Sequence, residues 1–273
     1  MLLSQKIDTA IDVVEQDVKN VSYSRDIEYF RYHKQRFRKL ATSVSELLPQ
    51  GGKILEVGGH YLQTASILSE LNFDVESVDV SAFWEMDFVI QRSKDFEIKG
   101  ITENNLQHFD LNKNLSGDYD LVIFTEILEH ITFNPIRFWK CIYNQLADGG
   151  YIYITTPNAF SLPHLVRAQF NLLRMKSLGI KVDEIFSEVT YGHHWKEYSA
   201  KEIKYYFKCL SEDFDISINY FSYGTQKSTG FRNGIWNSLL YIGSITKFLA
   251  SGLEAVVQKK STDQGFNLKT PSY

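Results

Sequence analysis

The chain is poor in cysteine and proline, with Cys141 and Cys209 as its two thiols and five prolines in 273 residues. Two isolated thiols exclude a disulfide-built scaffold and make a reducing compartment the default. Five prolines leave little room for a Pro-rich linker. Neither sign of charge dominates, since 29 Lys and Arg stand against 33 Asp and Glu for a net charge of −4. That excess argues neither for nucleic acid nor for strongly acidic partners. Lys6, Asp8, Asp12 and Glu15 interrupt the first seventeen residues, where a secretory signal needs an unbroken apolar run. Secretion is not expected, and a cytoplasmic location is. There is no internal repeat, low-complexity tract or long charge block. What is present has the balance of a soluble globular protein, 44% hydrophobic and 23% charged, long enough for one domain with insertions or two small ones. The aromatic content of 14% suits a pocketed enzyme.

Apolar residues at helical spacing (Ile7, Ala10, Ile11, Val14, then Phe30, Phe37, Leu40, Val44, Leu47) predict a helical segment over 1–48. Pro49-Gln-Gly-Gly52 breaks it. Short apolar runs then alternate with helical patterns. Lys53–Val57, Val75–Asp79, Leu106–Phe109, Tyr119–Phe124 and Tyr151–Thr155 read as strands, with helices over Thr64–Leu71 and Pro135–Leu146. This rhythm implies βαβ units and a mostly parallel sheet with helices on both faces. After Pro157 comes a locally basic connection with a helix over Leu162–Met175. Ser199-Ala-Lys-Glu202 has the spacing of a capping box, opening a helix to about Leu210. Asp215–Tyr223 and Gly252–Lys259 close the chain as strands around an apolar-striped helix, Ile235–Leu249.

In an open α/β sheet, ligands bind beyond the carboxyl ends of the strands. Those ends carry Glu56, Gly58 and Gly59 after the first strand, Asp79 after the second, Asp110 after the third, and Thr125-Glu126 after the fourth. Two glycines let a backbone approach a ligand closely, although an ordinary tight turn needs them equally. Asp79 follows Glu56 by 23 residues, near the offset of about 20 at which a carboxylate meets ribose hydroxyls. Asp110 could accept from an adenine amine or serve a turn.

The blocks Ile54-Leu-Glu-Val-Gly58, Val78-Asp79, Phe109-Asp110, Asp120–Ile131 and Leu146–Asn158 occur in the order seen in class I S-adenosylmethionine (SAM)-dependent methyltransferases, which the chain resembles over about 50–160. The segment Gly192-His-His-Trp-Lys-Glu-Tyr-Ser199 resembles an element of members from glycan-modifying and small-molecule pathways. The resemblance implies a Rossmann-like, doubly wound α/β fold with a mostly parallel seven-stranded sheet. A helical cap would span 1–48 and the methyltransferase domain 49–260, with cover insertions at 158–198 and 224–251 and a tail at 261–273. It implies SAM as cofactor. Gly58, Gly59 and His60 would face its methionine part, with Glu56 behind them. Asp79 and Val80 would hold the ribose, Asp110 and Leu111 the adenine edge, and Thr125 and Glu126 the donor methyl. Arg36, on one helical face with Tyr29 and His33, would pair with the cofactor carboxylate or belong to a solvated basic face. The family places glycines at the equivalents of Gly58, His60 and often Leu62, and this chain keeps only the first.

O-methylation of a small molecule or sugar, including a nucleotide- or lipid-linked glycan precursor, is the expected activity. A hydroxyl acceptor needs a base near neutral pH, and histidine has the matching acidity. The candidates are His193, His194 and His130. No metal is expected, because Glu126-x-x-Glu129-His130 lacks the paired histidines of a zinc helix. No nucleophile elbow or phosphate loop appears. The stripe from Ile235 to Val257 is amphipathic, with polar residues opposite, which fits core packing and leaves peripheral membrane contact open for a lipid-linked acceptor. Two rivals remain at this point: a degenerate, non-catalytic binding protein on the same fold, and a nicotinamide-dependent oxidoreductase, which would want a fuller Gly-x-Gly-x-x-Gly turn.

Overall fold

A computed structural model describes residues 2–176, 179–180, 182–187, 192–222, 231–260 and 264–269. Two long helices come first, α1 (Leu3–Val21) and α2 (Ser24–Leu47). Ile7, Ala10, Ile11, Val14 and Val18 form the buried stripe of α1, and Phe30, Phe37, Leu40, Ala41 and Val44 that of α2. Ser22, in the left-handed region at φ 58°, ends the first helix. There follow β1 (Lys53–Val57), α3 (Gln63–Glu70), β2 (Asp74–Asp79), α4 (Ser81–Trp84), α5 (Asp87–Asp95), β3 (Lys99–Thr102) and β4 (Tyr119–Thr125). Next come α6 (Ile136–Gln145), β5 (Leu146–Pro157), α7 (Leu162–Leu173), α8 (Val182–Ser187), α9 (Ala200–Leu210), β6 (Phe214–Phe221), α10 (Phe231–Ile245) and β7 (Gly252–Lys259).

The seven strands run in the order β3-β2-β1-β4-β5-β7-β6. β1 is parallel to both β2 and β4, β2 is parallel to β3, and β7 is antiparallel to β5 and β6. The expected Rossmann-like α/β fold with its N-terminal helices is therefore present. Strand order reverses between β1 and β4, so the carboxyl end of β1 is the place for a ligand.

One strand expectation is corrected. Leu106–Leu111 is a 3-10 turn, and the third strand is Lys99–Thr102. The Asn105 side chain accepts from the Gln107 amide at 3.0 Å and caps the turn, and Phe109 alone in it is buried. The true edge strand is illegible because only Ile101 is buried and Gly100 sits mid-strand. Glycine is needed there, since a Cβ would lie 2.7 Å from the Trp84 indole. Tyr223, residues 224–230, 261–263 and 270–273, and parts of 177–191 lie outside the described residues, so the ends expected for β6, the second insertion and the tail fall there.

The chain divides into two compact units, residues up to 123 with 140–150, and 124–139 with 151 onward. In the first, Arg92 of α5 is 1% exposed and binds three segments at once. Its guanidinium donates to Asp17 of α1 at 2.6 Å, to both carboxylate oxygens of Asp26 of α2 (3.1 and 2.7 Å), and to the Tyr61 carbonyl at 2.6 Å. In the second, Asn158 is 2% exposed and donates to the carbonyls of Phe248 (3.0 Å) and Ala250 (2.8 Å), while the Ala159 amide donates to the Tyr198 carbonyl at 3.1 Å. Among the described residues no helix is long and apolar enough to cross a membrane.

Candidate active site

The first unit carries the loop that leaves β1. Gly58, His60 and Leu62 have φ of 86°, 49° and 61°, every second residue in the left-handed region. The two positions where this chain lacks the family's glycines thus keep a glycine-like backbone, at a cost of about 1–2 kcal/mol for each side chain held there. Hydrogen bonds hold the loop in place. The amides of Gly58 and Gly59 donate to the Val78 carbonyl (2.8 and 3.3 Å), and the Leu62 amide donates to the Gly59 carbonyl (2.7 Å). The His60 amide donates to Asp79 Oδ2 at 2.6 Å. Gly59 is required for another reason: a Cβ there would overlap Ser77 Oγ and lie 3.3 Å from Glu56 Oε2.

Glu56 and Asp79 flank this loop. Glu56 is 2% exposed and accepts from Ser77 Oγ at 3.2 Å. Burial, with the Asp79 charge adding to it, pushes its carboxyl up to about 7. Burial also raises Asp79, against two backbone amides, those of His60 and Val80, that hydrogen-bond its carboxylate. Above the loop stands an aromatic stack. Tyr29 of α2 lies 4.3 Å from the rings of both His33 and His60, and His60 lies 3.7 Å from Tyr61 and 4.5 Å from Phe83. Arg36 Nη2 donates to Tyr29 Oη at 2.7 Å. Burial first, and the Arg36 charge second, hold His33 down to about 3 and His60 to about 4, so both imidazoles are neutral. The fold therefore gathers Arg36, Glu56, Gly58, Gly59, His60, Asp79 and Val80 in one place. Asp110 and Leu111 are exposed on the 3-10 turn rather than at a strand end. Asp110 is close enough to Cys141 to help burial push that thiol up to about 11.

The second unit carries the candidates for proton chemistry. Thr125 ends β4 and Glu126 follows at φ 54°. The Glu126 amide donates to the Thr155 carbonyl at 2.8 Å, and Thr155 Oγ1 donates to Glu126 Oε1 at 2.7 Å. Glu129 is 1% exposed; its Oε2 accepts from Thr156 Oγ1 at 2.8 Å, and its Oε1 is buried without a partner. Burial chiefly, then the Glu126 carboxylate, pushes Glu129 up to about 7. The Glu129 carbonyl in turn accepts from the Trp195 amide at 2.8 Å and so fastens the His193–Tyr198 segment.

That fastening brings His194 to His130, with ring centroids 4.8 Å apart. His130 Nδ1 lies 3.1 Å from the His193 carbonyl, which can only accept, so the proton is on Nδ1 and Nε2 holds the lone pair. His194 Nδ1 faces Glu197 Oε1 at 3.5 Å, and His164 Nδ1 lies 3.0 Å from Glu197 Oε2. The Glu197 carboxylate raises His194, while burial lowers His130. His193 is the buried member of the pair, its ring edge-on to Trp195. Of the three histidines singled out in the sequence, His130 and His194 meet, and His193 contributes its carbonyl.

Sequence reasoning assigned no role to Arg92, Thr155, Thr156, His164 or Glu197, and it weighed Glu129 only within a metal pattern that it set aside. Thr155 and Thr156 lie at a strand end, a signal that was available. Glu197, three residues after His194, was within local reach too, whereas Arg92 and His164 meet their partners across long stretches of chain that no local pattern encodes.

Comparison with known proteins agrees with this architecture. A family model described as a methyltransferase domain matches residues 32–208, more than half the chain. No curated protein matches. Among solved structures, a SAM-dependent methyltransferase of Archaeoglobus fulgidus is 15% identical, with TM-score 0.50 over 85% of this chain and 99% of that one. A Pyrococcus horikoshii protein is 14% identical, with TM-score 0.50 over the same shares of each chain. The plantazolicin methyltransferase BamL, solved with a triazolic desmethylPZN analogue and SAH, is 14% identical, with TM-score 0.51 over 95% of this chain and 100% of that one. At these identities the structures attest to the fold alone. With the family match over 32–208, the strand order and the loop after β1, the chain belongs to the methyltransferase-domain family of class I SAM-dependent methyltransferases.

Proposed function

We propose that the protein methylates a hydroxyl of a small-molecule or sugar acceptor, the sugar class being a nucleotide- or lipid-linked glycan precursor. The observation that carries the O-methylation reading is the pair His130 and His194, each with Nδ1 turned to an acceptor and Nε2 left for a substrate proton. SAM, when bound, supplies a methyl group on a positively charged sulfur. The residues of the first unit fit that group. Buried Glu56 has the charge to meet its ammonium, Arg36 its carboxylate, Asp79 its ribose hydroxyls, and the left-handed loop at Gly58–Leu62 keeps backbone rather than Cβ toward it. Asp110 and Leu111 are assigned to the adenine edge, Thr125 and Glu126 to the methyl, and α1–α2 to a cap over the cofactor. In this reading His194 Nε2 takes the hydroxyl proton, helped by Glu197, as the oxygen gains the methyl. Positioning supplies most of the rate, since the donor is already activated.

A lipid-linked acceptor is favoured by one surface of the second unit. Phe170, Leu172 and Leu173 of α7, Met175 after it, and Tyr241, Ile242 and Ile245 of α10 are all exposed. Leu162–Lys176 and Phe231–Ser251 contain no Asp or Glu but five Lys or Arg. Exposed apolar side chains on two helices whose segments carry positive and no negative charge complement an anionic bilayer.

The test is incubation with SAM carrying a labelled methyl and a panel of sugar nucleotides and lipid-linked sugars. Label in a new O-methyl ether supports the reading. SAM binding with label in no acceptor hydroxyl overturns it in favour of a binding protein. Sedimentation with phosphatidylglycerol vesicles but not phosphatidylcholine vesicles supports the lipid arm, and sedimentation with neither overturns it.

A further inference from the structure

We infer that Glu129, His130 and His194 form a binding site for one divalent transition-metal ion. One donor atom from each lies within 4.8 Å of the others. Both imidazoles are prepared as ligands: with Nδ1 held by the His193 carbonyl and by the Glu197 carboxylate, Nε2 of each carries the lone pair. A carbonyl or carboxylate behind the second ring nitrogen is how metal-bound histidines are usually oriented.

The carboxylate supplies a second, independent sign. Glu129 Oε1 is buried with no hydrogen-bond partner, although Oε2 of the same group is satisfied by Thr156. An orphaned carboxylate oxygen in a residue 1% exposed is costly unless a cation meets it. Glu126 adds a further negative charge beside the site, and His194, half exposed, leaves it open to solvent. Two imidazoles and one carboxylate suit zinc and its neighbours better than magnesium or calcium, which favour oxygen. Zinc bonds of about 2.0–2.2 Å place tetrahedral ligand atoms about 3.4 Å apart, so side-chain adjustments of about 1 Å close the site.

The inference departs from the expectation of no metal, which counted ligands adjacent in sequence. Here Glu129 and His130 are neighbours, while the second histidine arrives from 64 residues further along the chain. Three protein ligands leave an open position, where an acceptor's hydroxyl oxygen can coordinate and release its proton to water more readily. This last step rests on the O-methylation reading; metal binding does not.

Metal-free protein titrated with Co²⁺ tests the site. The expected result is one ion per chain with visible d–d bands of a low-coordinate N/O site, displaced by Zn²⁺. His194→Gln, at an exposed position that folding tolerates, should weaken Co²⁺ binding at least about tenfold, and Glu197→Gln should weaken it by about tenfold through the orientation of His194. Circular dichroism of both variants should match the parent. No bands, or equal affinity in parent and His194→Gln, would overturn the site. Bands without methyl transfer leave the metal site standing and sink O-methylation. Full methyl transfer in metal-free protein, with no Co²⁺ bands, leaves His194 as the base and sinks the metal.

Discussion

Replacing Glu56 by Gln should make the unliganded protein more stable at alkaline pH and, at the same pH, bind SAM more weakly. The native carboxyl holds its proton to about pH 7, whereas the unfolded one releases it near 4.5. Between those values the unfolded state carries fewer protons, so wild-type stability falls as pH rises through the window and is level above it. Each tenfold difference in acidity is worth about 1.4 kcal/mol, which makes the cost of the ionised buried group about 3 kcal/mol above pH 8. Glutamine removes that charge. Its carbonyl can take the Ser77 hydrogen bond while its amide nitrogen replaces the other carboxylate oxygen, an imperfect exchange that costs about 1 kcal/mol. The expected net gain is about 2 kcal/mol at pH 8.5, and it turns into a net loss of about 1 kcal/mol below pH 4.5, where both carboxyls are protonated and only the poorer hydrogen bonding of glutamine is left. Urea unfolding of both proteins across this range measures it, and the difference between them cancels the similar contribution of Glu129. Calorimetric titration with SAM gives the opposing loss of affinity, since the variant has no charge for the ammonium group. A stability difference that does not change with pH, or SAM binding left intact, would refute the assignment of a buried, proton-holding Glu56 at the cofactor.

Three further substitutions have clear expectations. Arg92→Ala leaves Asp26 buried and unpaired and frees the Tyr61 carbonyl, so a loss of about 3–5 kcal/mol in urea unfolding is expected. Gly59→Ala forces its Cβ into Ser77 and should cut SAM affinity in calorimetry while costing about 1–3 kcal/mol in stability. Ser199→Ala removes one half of the capping box at α9, where Ser199 Oγ accepts from the Glu202 amide at 3.2 Å and Glu202 Oε2 accepts from the Ser199 amide at 2.9 Å. It should cost about 1 kcal/mol in thermal unfolding with SAM binding unchanged.

Much of the fold was legible because its signals are local. Six of the seven strands were found from short segments rich in apolar and β-branched residues, such as Leu121-Val-Ile-Phe124 and Tyr151-Ile-Tyr-Ile154, and the stripe Ile7, Ala10, Ile11, Val14 describes α1 directly. The capping box at Ser199 marked the start of α9 to the residue. Lys99–Thr102 was lost because an edge strand with one buried residue carries no alternation, and Phe109, buried in a turn, imitated a strand residue. At the site, the residues that end strands could be named from sequence: Glu56, Gly58, Asp79, Glu126. What could not be read was pairing across long separations. Arg92 meets Asp17 over 75 residues, and Trp195 reaches the Glu129 carbonyl over 66. The backbone of His60 and Leu62 was also hidden, since neither side chain advertises a left-handed conformation; there the surrounding hydrogen bonds overrule local preference.

Binding of SAM at the loop between β1 and α3 is the central claim, and calorimetric titration of the wild type and Asp79→Ala tests it most directly. The account predicts one SAM per chain for the wild type, at least about tenfold weaker binding for the variant as a ribose hydrogen-bond acceptor is lost, and the same fold by circular dichroism. Binding of equal strength in both proteins, or no binding to a folded wild type, would contradict it.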